Sequence, residues 1–140
     1  MKSEWDMVLD CKDYFETQQQ YQKIECEIPF LSRCIDMVLV DSNDKITTIE
    51  FKLSKWRDAI SQAHDHMRGA DYAYVCLPKR RPSQQLISEL EASGIGLLLY
   101  DEKALDGDKV IVYTQAPESS RKVPLFSDNL LKMVDICCEC

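Results

Sequence analysis

The stretch CIDMVLVDSNDKITTIEFKL, residues 34–53, decides the fold. Residues 34–40 are almost continuously apolar, which is typical of a strand covered on both faces. Residues 46–53 alternate apolar and polar side chains, as a half-buried strand does. The cluster DSNDK at 41–45 is typical of a turn. The stretch therefore predicts two antiparallel strands joined by a tight turn.

The predicted hairpin places two acidic residues side by side. If residues 42–44 form a three-residue loop, Met37 faces Ile49 and Asp36 faces Glu50. Directly opposed residues point to the same face of a sheet, with their Cα atoms about 4.5–5.5 Å apart. A loop that is one residue longer or shorter would place the two acids on opposite faces. The three-residue loop therefore predicts a carboxylate pair.

Two carboxylates on a largely buried hairpin repel each other, and burial strengthens the repulsion. A cation between Asp36 and Glu50 would remove it, because Mg²⁺ accepts carboxylate oxygens, a backbone carbonyl and water as ligands. Lys52 lies two residues beyond Glu50 on the same face, where it could orient a water molecule or a phosphate. The alternative is that Asp36 and Glu50 are two unrelated surface acids.

Apolar periodicity and turn residues predict the other elements. Predicted helices span 3–15, 55–68 and 127–137, one more ends at Gly94, and the further strands span 21–30, 71–78, 96–101 and 109–114. The order αβββαβαββα is typical of a single α/β domain with a mixed sheet, covering residues 1–140.

The patterns also predict how one helix begins and which face one strand buries. Ser54 is expected to cap the helix 55–68, whose apolar stripe runs from Trp56 to Met67. In the strand 21–30, the even-numbered residues 24–30 are expected to share one buried face.

Composition limits the classes of function. The chain has 140 residues and a formal net charge of −7, which argues against a protein that grips duplex DNA unaided. Basic residues cluster locally, around residues 52–57 and 79–81. No apolar run of about 18 residues exists, so no membrane span is expected. Seven scattered cysteines predict reduced thiols in the cytoplasm, and the thiols of CCEC (137–140) fit one tetrahedral metal site poorly.

The pattern D-x13-E-x-K on a hairpin, followed by a helix that bears Gln62, resembles the PD-(D/E)xK nuclease superfamily, and above all its RecB-like and small DNA-repair members. The resemblance covers about residues 4–101, the αβββαβ core of the restriction-endonuclease-like fold, and leaves 102–140 as a C-terminal extension. It implies hydrolysis of phosphodiester bonds in DNA with Mg²⁺ or Mn²⁺.

The resemblance also implies roles for particular residues. Asp36 and Glu50 would bind the metal, together with the backbone carbonyl of Phe51. Lys52 would be the catalytic base or would position the nucleophile. Many members add an acid from the first helix, for which Glu4 is the candidate and Glu16 the alternative; the proline that often precedes the aspartate is replaced here by Cys34 and Ile35.

Helix 55–68 carries a second set of candidates. RecB-like members have Q-x3-Y on this helix; Gln62 matches, and His66 stands where the tyrosine would be. Both lie at one edge of the apolar stripe, where they could reach the mouth of a site or make local hydrogen bonds. We assign Gln62 to catalysis and expect His66, Lys55 and Arg57 to contact the substrate.

The sequence thus predicts a metal-dependent DNA nuclease that acts in repair, recombination or defence against foreign DNA. DNA is the expected partner, in a homodimer or larger complex, with no membrane association. The alternative is a catalytically inactive module of the same fold that serves as a scaffold for nucleic acid or protein. A third possibility is an unrelated α/β binding domain.

Overall fold

A six-stranded mixed sheet with strand order β1-β2-β3-β4-β5-β6 forms the centre of the molecule. The computed structural model describes residues 3–139, apart from the side chains of residues 106, 138 and 139. The strands are β1 (Lys23–Phe30), β2 (Arg33–Val40), β3 (Ile46–Phe51), β4 (Tyr72–Pro78), β5 (Gly96–Tyr100) and β6 (Val110–Thr114). The helices are α1 (Glu4–Gln18), α2 (Trp56–His66), α3 (Gln84–Ser93) and α4 (Pro124–Glu139). The predicted α/β class and element order are confirmed.

The β2–β3 hairpin has the predicted register. Met37 pairs with Ile49, and Leu39 pairs with Thr47. The three-residue loop is held by the residue that precedes it, because the Asp41 carboxylate accepts hydrogen bonds from the backbone N–H groups of Asn43 and Lys45, at 2.8 and 3.0 Å. Asp44 supplies the left-handed conformation of the turn, with φ 61°. The loop chemistry thus fixes which residues of the two strands face each other.

Strands β3, β4 and β5 are parallel, and α2 and α3 connect them. The carboxyl ends of parallel strands meet at one edge of a sheet, which is where open α/β folds place their binding sites. Strand β2 is antiparallel to β3, so its first residues lie at this same edge. We call this edge, formed by the end of β3, the ends of β4 and β5 and the start of β2, the carboxyl edge.

Helices cover both faces of the sheet. Helix α1 packs on one face, in a cluster that contains Met7, Val8, Cys11, Phe15, Met37, Leu39, Ile49 and Phe51. Helices α2 and α3 cover the other face, in a cluster that contains Trp56, Ala59, Ile60, Ala63, Met67, Val75, Leu77, Leu86 and Leu90. Helix α4 packs beside them, in a cluster with Ile28, Phe30, Ile35, Val38, Val40 and Ile46. The predicted apolar stripe of α2 is confirmed.

The prediction that residues 24–30 share one face is wrong. Ile24 and Cys26 pack with the α1 cluster, whereas Ile28 and Phe30 pack under α4. The strand changes face at Glu27, which has a left-handed backbone with φ 55°. Regular alternation is lost at such a residue, because a left-handed residue interrupts the extended backbone and reverses the face to which the next side chains point.

Some predicted helix ends also differ. Ser54 does not cap α2; the residue before the helix is Lys55, and no side chain caps it. Helix α1 extends to Gln18 and α4 begins at Pro124. No helix among the described residues is long and apolar enough to cross a membrane. The predictions for the thiols of residues 138 and 140 lie outside the described residues.

Candidate functional site

Asp36 and Glu50 meet at the carboxyl edge. The N–H of Asp36 donates a hydrogen bond to Glu50 Oε2 at 3.1 Å, and the N–H of Phe51 donates to Asp36 Oδ2 at 2.8 Å. Each carboxylate therefore accepts a backbone N–H from the opposite strand. Glu50 is only 2% exposed, whereas Asp36 is partly exposed. The hairpin thus brings the two predicted carboxylates together, with one of them buried.

The backbone is distorted where these acids meet. The pairing of β1 with β2 skips Glu27 and Asp36, and Glu27 has the left-handed conformation. Met37 packs under α1, whereas Ile35 packs under α4, so β2 changes face at Asp36. A left-handed residue other than glycine costs roughly 1–3 kcal/mol, and such distortions concentrate at functional sites. The distortion frees Asp36 from regular strand pairing and directs its N–H to Glu50.

The electrostatics of the pair are unfavourable. Burial, followed by the charge of Asp36, raises the pKa of the Glu50 carboxyl from 4.5 to about 9. The charge of Lys52 opposes this rise in pKa and offsets only part of it. Glu50 therefore holds a proton at neutral pH when nothing else balances the two carboxylates.

The donor set of the pair suits a hard divalent cation, which could take the place of that proton. The described residues contain no group of three or more His, Cys, Asp or Glu side chains that could hold a metal ion. The protein ligands would therefore be Asp36 and Glu50, with backbone oxygen or water filling the other positions. One or two carboxylates completed by water is the usual arrangement for Mg²⁺.

Lys52 and Glu4 lie at the same edge. Lys52 directly follows β3, and its N–H donates to the carbonyl of Cys76 at 3.2 Å. Glu4 begins α1 and is exposed; its carboxylate accepts from the N–H of Leu53 at 3.4 Å. Glu16, the alternative acid, lies more than three turns further along α1 and pairs with Lys12. Glu4 is thus the first-helix acid that reaches this edge.

Gln62 connects the carboxylate pair to an arginine that the sequence did not suggest. In the amide orientation that satisfies both neighbours, Gln62 Nε2 donates to Glu50 Oε1 at 3.3 Å, and Gln62 Oε1 accepts from Arg33 Nη1 at 3.0 Å. Arg33 is exposed at the start of β2. It went unnoticed because it begins a strand directly after a turn, 29 positions before Gln62, and carries no motif of its own.

His66 lies deeper than its predicted place at the mouth of a site. It is 2% exposed, and its Nε2 is 3.9 Å from Glu50 Oε1. Burial lowers the pKa of His66 to about 4, so the ring is neutral at physiological pH. The ring packs edge-on against Phe30, at 6.0 Å between centroids. His66 thus lies next to Glu50 in the interior and is buried, so it does not reach the surface where substrate would bind.

The other predicted substrate contacts are exposed near the start of α2. Lys55 immediately precedes the helix. The guanidinium of Arg57 lies 4.3 Å from the centroid of the Trp56 ring, and its Nε is 3.7 Å from a carboxylate oxygen of Glu89. The basic residues 79–81 follow the end of β4, on the same edge, and are exposed. Both basic clusters of the sequence are thus found at the carboxyl edge.

No protein-family model and no curated protein matches this sequence. Solved structures do match. A protein of unknown function from Silicibacter pomeroyi superimposes with a TM-score of 0.71 at 14% identity, over 99% of this chain and 88% of that one. A repair endonuclease from Pyrococcus abyssi superimposes with a TM-score of 0.51 at 21% identity. That match covers 74% of this chain and 47% of the endonuclease, so this chain spans about half of the endonuclease's length. At these identities the likeness shows a shared α/β fold.

Proposed function

We propose that this protein is a metal-dependent nuclease of the PD-(D/E)xK class that hydrolyses phosphodiester bonds in DNA. The observation that carries the proposal is the facing pair of Asp36 and Glu50 on a distorted hairpin, with Lys52 beside it. The repair-endonuclease name of one structural neighbour is consistent with it.

Each residue of the site has a role in this proposal. Asp36 and Glu50 would hold Mg²⁺ or Mn²⁺, together with the carbonyl of Phe51 and, when substrate is bound, Glu4. Such an ion supplies Lewis-acid stabilisation of charge on the phosphate and makes water more acidic. Lys52 would orient the attacking water and accept or share its proton, and Gln62 would hold Glu50 in place through its amide.

The substrate would lie along the carboxyl edge. Lys55 and Arg57 would contact DNA phosphates there, together with the basic residues 79–81. Electrostatic attraction to phosphate depends on local Lys and Arg, so a chain with net charge −7 can bind DNA through such an edge while the rest of its surface repels it. A second subunit or a partner in a repair, recombination or defence complex would extend this contact area.

The test is a digestion assay on single-stranded, duplex and branched DNA and on RNA, with Mg²⁺ or Mn²⁺ and with chelator. We expect metal-dependent cleavage that Lys52→Ala lowers about 100-fold or more, the scale of a lost general base. Lys132→Ala, which removes an exposed lysine of α4, is the matched control and should keep full activity. Cleavage that resists chelator, or full activity of Lys52→Ala, would refute the mechanism.

A second candidate is a scaffold of the same fold that binds nucleic acid or protein without cutting. The observation that favours it is that Glu4 forms no metal-binding group with Asp36 and Glu50 among the described residues. A scaffold for nucleic acid would cleave no substrate in the digestion assay with either metal, but would bind labelled DNA in a separate binding measurement. Its binding would also be unchanged by Glu50→Gln, which removes the buried acid but leaves the exposed basic residues.

A further inference from the structure

Arg33 occupies an unusual place for an exposed arginine. Its Nη1 donates to the amide oxygen of Gln62 at 3.0 Å, and that amide reaches Glu50 Oε1 at 3.3 Å. Gln62 and Glu50 are partly and fully buried, so one end of the guanidinium is fixed by groups inside the protein. The charge of Arg33 is also close enough to His66 to lower the pKa of that ring. Arg33 is therefore held beside the carboxylate pair.

A purely structural arginine at a site rich in acids would pair with one of them. Among the described residues, no carboxylate lies within salt-bridge distance of Arg33, although Asp36 is only three positions away. A guanidinium has five N–H donors, and the Gln62 contact uses one of them. The remaining donors belong to an exposed side chain and can bind an anion from solution.

The position of Arg33 in the sheet indicates which anion that is. Strand β2 begins where β3 ends, so Arg33 and Lys52 lie at the same edge, on opposite strands of the hairpin. Arg33 lies three residues before Asp36, and Lys52 lies two residues after Glu50, which at 3.3 Å per residue is about 7–10 Å along each strand. Both cations thus lie on the outer side of the carboxylate pair, on neighbouring strands, where they can contact neighbouring phosphates of one nucleic acid strand.

We propose that Arg33 binds a substrate phosphate next to the one that is cleaved, and that Gln62 positions it. This inference rests on the proposed nuclease function. The guanidinium of an arginine can donate two parallel N–H groups to two oxygens of one phosphate. A lysine ammonium lacks this geometry. Through its single amide, Gln62 would set the positions of a metal-binding carboxylate and of the phosphate-binding arginine together.

The experiment compares Arg33→Ala, Arg33→Lys and Gln62→Ala with Arg121→Ala as the matched control. Arg121 is an exposed arginine in the segment 119–123, whose backbone bonds to Asp71 and Arg68 at the other end of β4. Binding of fluorescently labelled single-stranded and duplex oligonucleotides is measured in chelator, where no cleavage occurs, over a series of salt concentrations. Cleavage with Mg²⁺ gives kcat and KM, and thermal melts report folding.

We expect Arg33→Ala to weaken binding about tenfold and to lower the salt slope by about one, as the loss of one phosphate contact does. Arg33→Lys should restore the salt slope but only part of the affinity, since it keeps the charge without the fork. Gln62→Ala should raise KM and lower kcat together, because it releases both Arg33 and Glu50, with little change in melting temperature. Arg121→Ala should behave as wild type.

The outcomes separate the two proposals. If the wild type cleaves DNA but Arg33→Ala binds and cleaves like Arg121→Ala, the role of Arg33 is refuted and the nuclease function stands. If no substrate is cleaved while binding still depends on Arg33, the nuclease function fails and the phosphate contact stands. If Arg33→Ala does not fold, Arg33→Lys decides: wild-type affinity in that variant would overturn the role of the guanidinium fork.

Discussion

Two buried carboxylates lie at opposite ends of the same sheet, and their surroundings differ. Asp71, just before β4, is 1% exposed, and Glu50, near the end of β3, is 2% exposed. Asp71 accepts from the N–H of Ile46 at 2.8 Å and from Lys122 Nζ at 2.8 Å. Glu50 instead faces Asp36. One acid is matched by a cation of the chain, and the other is opposed by a second acid.

The difference indicates what each carboxylate is for. Asp71 joins the start of β3 to the segment before α4, and a second lysine, Lys45, lies 3.8 Å away. Its charge is balanced within the fold, as buried charges in structural roles are. At the other end of the sheet, the charge of Lys52 offsets only part of the repulsion between Glu50 and Asp36. Glu50 therefore stays protonated at neutral pH. The cation proposed above, bound from solution in place of the proton, would correct this imbalance.

The same substitution should therefore have opposite effects at the two ends. Asp71→Asn removes the charge that Lys122 and Lys45 share, and should destabilise the protein by about 2–3 kcal/mol, the scale of lost charged hydrogen bonds. Urea denaturation gives the free energy of unfolding. Glu118→Gln, which removes an exposed partner of Lys45, is the control and should cost no more than about 1 kcal/mol. An Asp71→Asn variant as stable as the wild type would contradict this account of Asp71.

At the carboxyl edge, Asp36→Asn should stabilise the metal-free protein by about 1–3 kcal/mol. The asparagine oxygen can still accept from the N–H of Phe51, while the charge opposite Glu50 is gone. Mg²⁺ should stabilise the wild type by mass action and do little for the variant. Thermal melts of both proteins in chelator and in millimolar Mg²⁺ measure this. A less stable metal-free variant, with equal help from Mg²⁺ in both proteins, would mean that Asp36 is structural.

The comparison also shows what the sequence could predict. The Asp36–Glu50 pair followed from local information, because Asp41 and Asp44 fix a three-residue loop and the loop fixes the register of the hairpin. The element order could also be predicted, because apolar periodicity is likewise a property of short, local stretches of sequence. The balanced site of Asp71 was not predicted, since its lysine partner Lys122 lies 51 positions away and is brought there by the chain after β6.

The missed features depend on tertiary packing in the same way. The change of face at Glu27 leaves no pattern in the sequence. Glutamate does not favour a φ of 55°, so the surrounding structure must impose this conformation. Helical spacing placed His66 at the edge of an apolar stripe, but Phe30 covers that edge, and Phe126 of α4 packs on Phe30. The contact between Arg33 and Gln62 likewise needs both the hairpin and α2 in place.

The most gradual effect we predict is a pH dependence of stability, which above pH 6.5 belongs to Glu50. Its carboxyl has a pKa of about 9 in the folded protein and about 4.5 when unfolded, so the folded state holds an extra proton between these values and stability falls as pH rises. His66 acts oppositely, because its pKa of about 4 lies below the ordinary 6.5, and stability rises with pH across that window. The two effects oppose each other below pH 6.5, and from there to about pH 9 only the fall due to Glu50 remains.

Urea denaturation of the metal-free protein across this upper window tests the assignment. We expect the free energy of unfolding to fall by up to about 1.4 kcal/mol per pH unit, the value for one proton. Glu50→Gln should abolish the slope, because its amide does not titrate, whereas Glu118→Gln should keep it. Mg²⁺ must displace the same proton, so its affinity should rise with pH until Glu50 is ionised. A wild type whose stability is flat from pH 6.5 to 9 would show that the two carboxylates do not share a buried proton, and the contrast with Asp71 would then be lost.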